Sequence, residues 1–292
     1  MLRAGAEDLP RPSARNVEPG VGRCSMAFEP HVAIVTGSDS GIGRATAVAL
    51  ARAGLDVGIT WVQDHEEEQA ASTAEEVRSH GRRAEVARLD AGHLESAAGV
   101  LDDLADRLGG LDVYVNNGGT GDNAPLLEMT LEQWRHTVSV DLDGPFVLIQ
   151  RAAQRMVEAG GGGRIIAITS VHEHQPRVGS SAYDAAKHGL GGLVKTAALE
   201  LGRFGITVNA VAPGEIATPM TGMEDQDPTE VHRPGVPLGR PGSAHEIAAV
   251  VAFLASPAAS YVTGASWPVD GGMLQMGPQG GSHITSDDWR DG

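Results

Sequence analysis

The sequence predicts an α/β fold: one domain with a doubly wound parallel sheet and helices on both faces. Three observations carry this. Short β-branched runs alternate with longer segments of helical period from residue 31 to residue 272. A glycine-rich turn joins the first run to the first helix. No linker and no internal repeat interrupts the alternation. Strand followed by helix throughout means parallel neighbours, because the chain must cross back before each new strand. Right-handed crossovers then wind the sheet in both directions from its first strand.

The elements follow in order. HVAIVT (31–36) is a short apolar strand, and RATAVALARAG (44–54) a helix that stops at Gly54. DVGITW (56–61) is the second strand, 66–80 a charged helix, AEVARL (84–89) the third strand and 94–108 the third helix. LDVYVN (111–116) gives a fourth strand, and one long helix is predicted over 131–158, ending at the glycine run 160–163. RIIAITS (164–170), a helix over 180–203 and GITVNAVAP (205–213) come next. A helix over 243–255 and a last strand within ASWPVDGG (265–272) complete the domain. Ligands of such sheets bind beyond the carboxyl ends of the strands.

The domain is expected over residues 30–276. The first 29 residues hold Arg, Pro and Gly without an apolar h-region, so they read as a flexible tail rather than a secretory signal, and Met26 offers a second start. Residues 277–292 read as a second mobile tail. The 292 residues suffice for a sizeable core, and aromatics make up only 4% of them, so close helix–sheet packing through Gly and Ala is expected. The net charge of −16 disfavours nucleic acid, anionic membranes and acidic protein partners. No run approaches the ~20 apolar residues of a membrane span. The single cysteine, Cys24, excludes an intrachain disulfide and a multi-cysteine metal site, which fits a cytoplasmic protein.

The turn TGSDSGIGR (36–44) places glycines at 37, 41 and 43 between strand and helix. Gly37 permits a tight turn, Gly41 a close approach of pyrophosphate, and Gly43 close packing of helix on strand. The helix start supplies free N–H groups and partial positive charge for phosphate. The spacing is Gly-x3-Gly-x-Gly. Asn116-Asn117-Gly118-Gly119 follows the fourth strand and Ser170 ends the fifth. Tyr183 stands thirteen residues on, with Lys187 four after it. Pro213-Gly214-Glu215-Ile216-Ala217-Thr218 and Asp270-Gly271-Gly272 complete the series. In order and spacing, residues 31–275 resemble the short-chain dehydrogenase/reductase family, whose fold is Rossmann-like. The family has alanine where this chain has Gly118.

The resemblance implies the roles. Tyr183 is the acid/base, Lys187 tunes it and contacts a ribose, and Ser170 orients the substrate. Four residues apart on a helix, Tyr183 and Lys187 share a face. A neighbouring ammonium favours a phenolate, and a tyrosine so tuned can exchange a proton with a substrate oxygen. The cofactor carries the hydride. Gly37, Ser40, Gly41, Ile42, Gly43, Trp61, Asp90, Asn117, Tyr183, Lys187, Pro213, Gly214, Ile216 and Thr218 are the expected cofactor residues, with Asp90 toward the adenine amine and Thr218 toward the nicotinamide carboxamide. Asp141 stands where the family often has an asparagine of a proton relay. It keeps an acceptor, loses the amide donor and adds charge near Lys187.

The resemblance implies NAD or NADP as the cofactor. The arginine expected for NADP is replaced by Ser40, and the aspartate expected for NAD by Trp61. Asp39, Asp64, Glu66, Glu67 and Glu68 would repel a 2′-phosphate, which favours NAD. His172, Glu173 and His174 lack the HExxH spacing, and no metal is expected. The acidic, Pro-rich segment 221–237 occupies the place of the substrate lid. A polar wall suggests a sugar or polyol, with a 3-oxoacyl-thioester reductase as the alternative. A silent nucleotide-sensing protein on the same fold would be expected to lack Tyr183 or Lys187. The resemblance also implies a homotetramer, with 140–158 and 180–203 facing partner subunits.

Overall fold

A computed structural model describes residues 28–121, 123–279 and 284–287. Seven parallel strands form one sheet in the order β3-β2-β1-β4-β5-β6-β9. They are β1 (Val32–Val35), β2 (Asp56–Trp61), β3 (Ala84–Arg88), β4 (Val113–Asn116), β5 (Gly163–Ile168), β6 (Ile206–Pro213) and β9 (Ser266–Val269). Their near-continuous apolar character matches burial on both faces. Val32 and Ile34 pack on one side with Leu101, Leu104 and Leu148. Ala33 and Val35 pack on the other with Leu50, Ile247 and Val251. One alternating strand thus feeds two cores.

The helices are α1 (Gly41–Arg52), α2 (Glu67–Ser79), α3 (Leu94–Leu108), α4 (Leu131–Val138), α5 (Gly144–Ala159), α6 (Ser181–Leu201) and α7 (Ala244–Ala255). Two expectations change. α1 begins at Gly41 rather than Arg44, so the glycine motif supplies the helix's first turn. The predicted helix over 131–158 is interrupted by a π-helical segment, Ser139–Asp143, carrying Asp141. Its extra residue per turn rotates the side chains that follow, and such bulges often mark functional positions. A two-stranded sheet, β7 (Ile216–Ala217) with β8 (Gly242–Ser243), was not predicted, because two-residue strands have no readable period.

Both expected tails fall largely outside the described residues, as does Cys24. Within them, the Arg164 guanidinium lies 4.0 Å over the Phe28 ring. A 3-10 turn, Met273–Gln279, carries the backbone past residue 276. Asp287 meets His232 at 2.8 Å. No helix among the described residues is long and apolar enough to cross a membrane.

The strand order reverses between β1 and β4, where the chain moves from one half of the sheet to the other. That switch point is where a doubly wound sheet opens a crevice. The glycine turn after β1 and the Asn117–Thr120 loop after β4 border it.

Candidate active site

The glycine turn is held by its neighbours. Gly37 has φ 58° and Gly41 φ 51°, conformations that cost other residues energy. A Cβ on Gly43 would lie 2.0 Å from the Gly37 carbonyl oxygen, so only glycine fits there. The Asn117 amide donates to the Thr36 and Gly37 carbonyls at 2.9 and 2.8 Å. Thr36 Oγ1 accepts the backbone N–H groups of Asn117 and Gly118. Asn117 therefore braces the turn with both amide protons. At Gly118 a Cβ would meet ordinary contacts of 3.6 Å, so the structure leaves room for the family's alanine.

Ser40 caps α1 without a side-chain hydrogen bond to it. The free N–H groups of that first turn suit a phosphate. The cradle of Gly37, Gly41 and Gly43 fits a dinucleotide. Thr218 closes on it, its Cγ2 lying 3.4 Å from where a Gly41 Cβ would be. Ile42 packs into the core beneath and Ile216 is buried. Pro213 ends β6. Gly214 donates to the Val269 carbonyl and abuts Asp270. Trp61 ends β2, in register with Arg88. Asp90 turns onto its own loop, accepting from Gly92 N and His93 Nδ1 at 2.8 Å. It borders a depression of about 610 Å³ that reaches Leu131, Arg135 and Val140 but none of Ser170, Tyr183 and Lys187.

The candidate reactive residues come from three elements. Ser170 follows β5 and accepts the His172 N–H on Oγ at 3.1 Å, which leaves its own proton free to donate outward. Tyr183 and Lys187 lie on α6. The Lys187 ammonium is 5.2 Å from the Tyr183 ring centre, and the phenol oxygen has no protein partner among the described residues. Lys187 is 3% exposed and Asp141 is fully buried. Asp141 Oδ1 accepts from Thr120 N at 2.8 Å, and its Oδ2 lies 3.8 Å from Lys187 Nζ, a close ion contact longer than a hydrogen bond. Gly119 makes room: a Cβ there would stand 3.1 Å from Asp141 Oδ1 and 3.4 Å from Lys187 Nζ.

Burial pulls the Lys187 ammonium down, but Asp141 and then Tyr183 outweigh it and hold it above the ordinary lysine value. Burial pushes the Asp141 carboxyl up, with Lys187 opposing. In the glycine turn, burial also raises Asp39, and the nearby Glu66 carboxylate adds to the rise.

Sequence reading weighed Glu173 only beside His172 and His174, as a metal ligand or pocket wall, and missed its bracing role. It is 6% exposed, and its Oε2 accepts from Thr169 and Ser266. Its other oxygen presses on Gly191 of α6, where a Cβ would lie 2.2 Å away. Glu173 thus bolts the Ser170 turn to β9 and α6. Such a partnership across distant elements leaves no local signal. His172 and His174 turn to separate partners, the Gln175 carbonyl and Ser266. Among the described residues, no group of three His, Cys, Asp or Glu side chains is placed to hold a metal.

A glycine cradle at the switch point, with serine, tyrosine and lysine beyond the strand ends, defines an oxidoreductase of the dinucleotide-binding α/β class. A family model described as enoyl-(acyl carrier protein) reductase matches residues 37–274. An oxidoreductase of Escherichia coli K12 named YohF, described as uncharacterized, is 55% identical over 85% of this chain and 97% of its own. A Synechocystis 3-oxoacyl-[acyl-carrier-protein] reductase is 38% identical over 86% of this chain and 99% of its own. The crystal structure of acetoin dehydrogenase YohF from Salmonella typhimurium superposes with TM-score 0.81 at 50% identity, covering 87% of this chain and all of that one (100%). The chain belongs to the short-chain dehydrogenase/reductase family, and its relatives named as oxidoreductases and dehydrogenases are consistent with action on CH–OH groups.

Proposed function

We propose that the protein interconverts a secondary alcohol and a ketone on a small, hydroxylated substrate, with NAD as the preferred cofactor. The carrying observation is that the Tyr183 phenol has no hydrogen-bond partner among the described residues, while Ser170 Oγ accepts the His172 backbone N–H and keeps its own proton to donate. Gly37, Gly41, Gly43, Thr218 and the α1 N-terminus would hold the dinucleotide, which accepts or supplies the hydride when bound. Ser170 donates to the substrate oxygen and fixes its place. Tyr183 takes that oxygen's proton in oxidation and returns it in reduction. Lys187 keeps positive charge beside the phenol, and Asp141 keeps Lys187 charged despite its burial.

Preference for NAD is supported by charge. Asp39 and Glu66 flank the end of β2, and no arginine replaces Ser40 or Trp61. Arg88, in register with Trp61, is engaged by the Val62 carbonyl and Asp64. A hydroxylated substrate is supported by the name of the Salmonella structure, since acetoin is a hydroxyketone. The name of the Synechocystis relative favours a second reading, reduction of a 3-oxoacyl thioester. The acidity of this chain opposes docking of an acidic carrier. A silent nucleotide sensor would have no need of Tyr183 and Lys187 as placed here. A homotetramer belongs to the same proposal, and exposed Phe146 on α5 and Leu199 on α6 fit partner contacts.

The test is NADH formation across polyols, sugars and hydroxyketones, beside NADPH-dependent thioester reduction. Turnover of the alcohols with NAD is expected. Thioester turnover alone would replace this reading with the second. Light scattering reads the assembly, with a mass of four chains expected.

A further inference from the structure

The family model ends at residue 274, yet the chain beyond it returns to the body of the molecule. After β9 both Asp270 carboxylate oxygens cap the Met273–Gln279 turn, accepting from Gly272 N and Leu274 N at 2.8 Å. Gly271 and Gly272, at φ 63° and 89°, lie against the end of the acidic segment 221–237. A Cβ on them would stand 2.8 Å from Val236 and 2.9 Å from Pro237, and the Leu238 N–H donates to the Gly271 carbonyl at 3.1 Å. Asp287 Oδ2 then meets His232 Nε2 at 2.8 Å. His232 and Arg233 are the basic side chains of this segment, against Glu224, Asp225, Asp227 and Glu230. Arg233 is engaged by Glu215 at 2.8 Å, and His232 by Asp287.

The held segment is part of an excursion, residues 218–241, that leaves and rejoins the rim of the glycine cradle. Thr218 and Pro219 stand 3.4 and 3.7 Å from where a Gly41 Cβ would be. At the far end Gly242–Ser243 pairs with Ile216–Ala217, as β8 on β7. Contacts cross the excursion from one side to the other. Beside His232, Arg233 Nη2 meets Met223 Sδ at 3.5 Å. Met223 is buried, and its N–H donates to the Thr218 carbonyl at 3.1 Å. We propose that Asp287 is a positioning residue: by holding His232 it keeps Thr218 and Pro219 on the cradle and slows release of the bound dinucleotide. This rests on the dinucleotide reading and is independent of the substrate. Nε2 donates to the carboxylate from the protonated ring and from the neutral tautomer that keeps its proton there, so the contact does not require a charged imidazole. An exposed ion pair is weak by itself. Here it closes a short segment already fixed at Arg233 and Leu238, so little chain entropy opposes it.

The test follows NADH release by stopped flow, read as recovery of tryptophan fluorescence, in wild type, D287A, D287N, H232A and a chain ending at Gln279. Thermal unfolding checks each fold. D287A and the shortened chain are expected to release NADH about twofold to fivefold faster, the change an exposed pair supports. D287N, whose amide oxygen still accepts from Nε2, should keep part of the delay. D287A in an H232A background should add nothing further. Amide hydrogen exchange over 221–238 should quicken in D287A while the sheet stays protected. Unchanged release in D287A overturns the proposal. Faster exchange with unchanged release also overturns it, since Asp287 would then brace the segment without reaching the cradle. Faster release in the shortened chain alone does the same, because residues other than Asp287 would be responsible. A wild type that binds no NADH removes the dinucleotide reading, and this proposal with it.

Discussion

Lys187 is a buried cation held in its charged form by an equally buried acid. Its sign gives a prediction. Asp141→Asn keeps an oxygen for Thr120 N but removes the charge that outweighs burial, so the Lys187 value falls. If activity needs the ammonium, activity is lost as pH rises through that value. The alkaline limb of the kcat/KM profile should therefore move to lower pH, by about one unit or more. An unmoved limb would remove Asp141 from the relay and leave it a structural acid. Tyr183→Phe keeps the ring against His172 and deletes the proton carrier. Its kcat should fall by about 10²–10⁴-fold while NADH quenching of tryptophan is preserved. A variant that turns over like wild type would rule out Tyr183 as the acid/base.

Elements meet at this site through close approaches. β5 delivers Ser170, α6 delivers Tyr183 and Lys187, and Glu173 locks the two together through Gly191. Gly191→Ala should push Glu173 out of its seat and cost about 1–3 kcal/mol of stability, seen as a lower Tm. Combined with Glu173→Ala, the loss should be less than the sum of the two single losses, because the second change removes the clash made by the first. Strict additivity in thermal unfolding would show that the contact is not shared. Gly43→Ala tests the turn in the same way, with loss of cofactor affinity as well as stability, since its Cβ has nowhere to go.

For the whole molecule the net charge of −16 and the acids near the end of β2 act together. NADPH should bind more weakly than NADH, and added salt should narrow the gap, because screening weakens repulsion of the 2′-phosphate. Tryptophan quenching titrations at two ionic strengths read this directly. A gap that salt leaves unchanged would point to shape rather than charge as the discriminator. Tighter NADPH would refute the acidic-neighbourhood reading outright.

The sequence by itself determined the layered fold and which residues to propose as the reactive set. Strands buried on both faces and helices buried on one write their periods into the chain, and Ser170, Tyr183, Lys187 and the three glycines stand in a spaced order. The tertiary structure decided what those residues touch. The π-helical segment, the seating of Asp141 beside Lys187, the use of Asn117 as a brace and the Glu173 bolt all join residues distant in the chain. So does the pairing of β7 with β8. Contacts of that kind are set by how the layers pack, and packing leaves no period for a sequence to display.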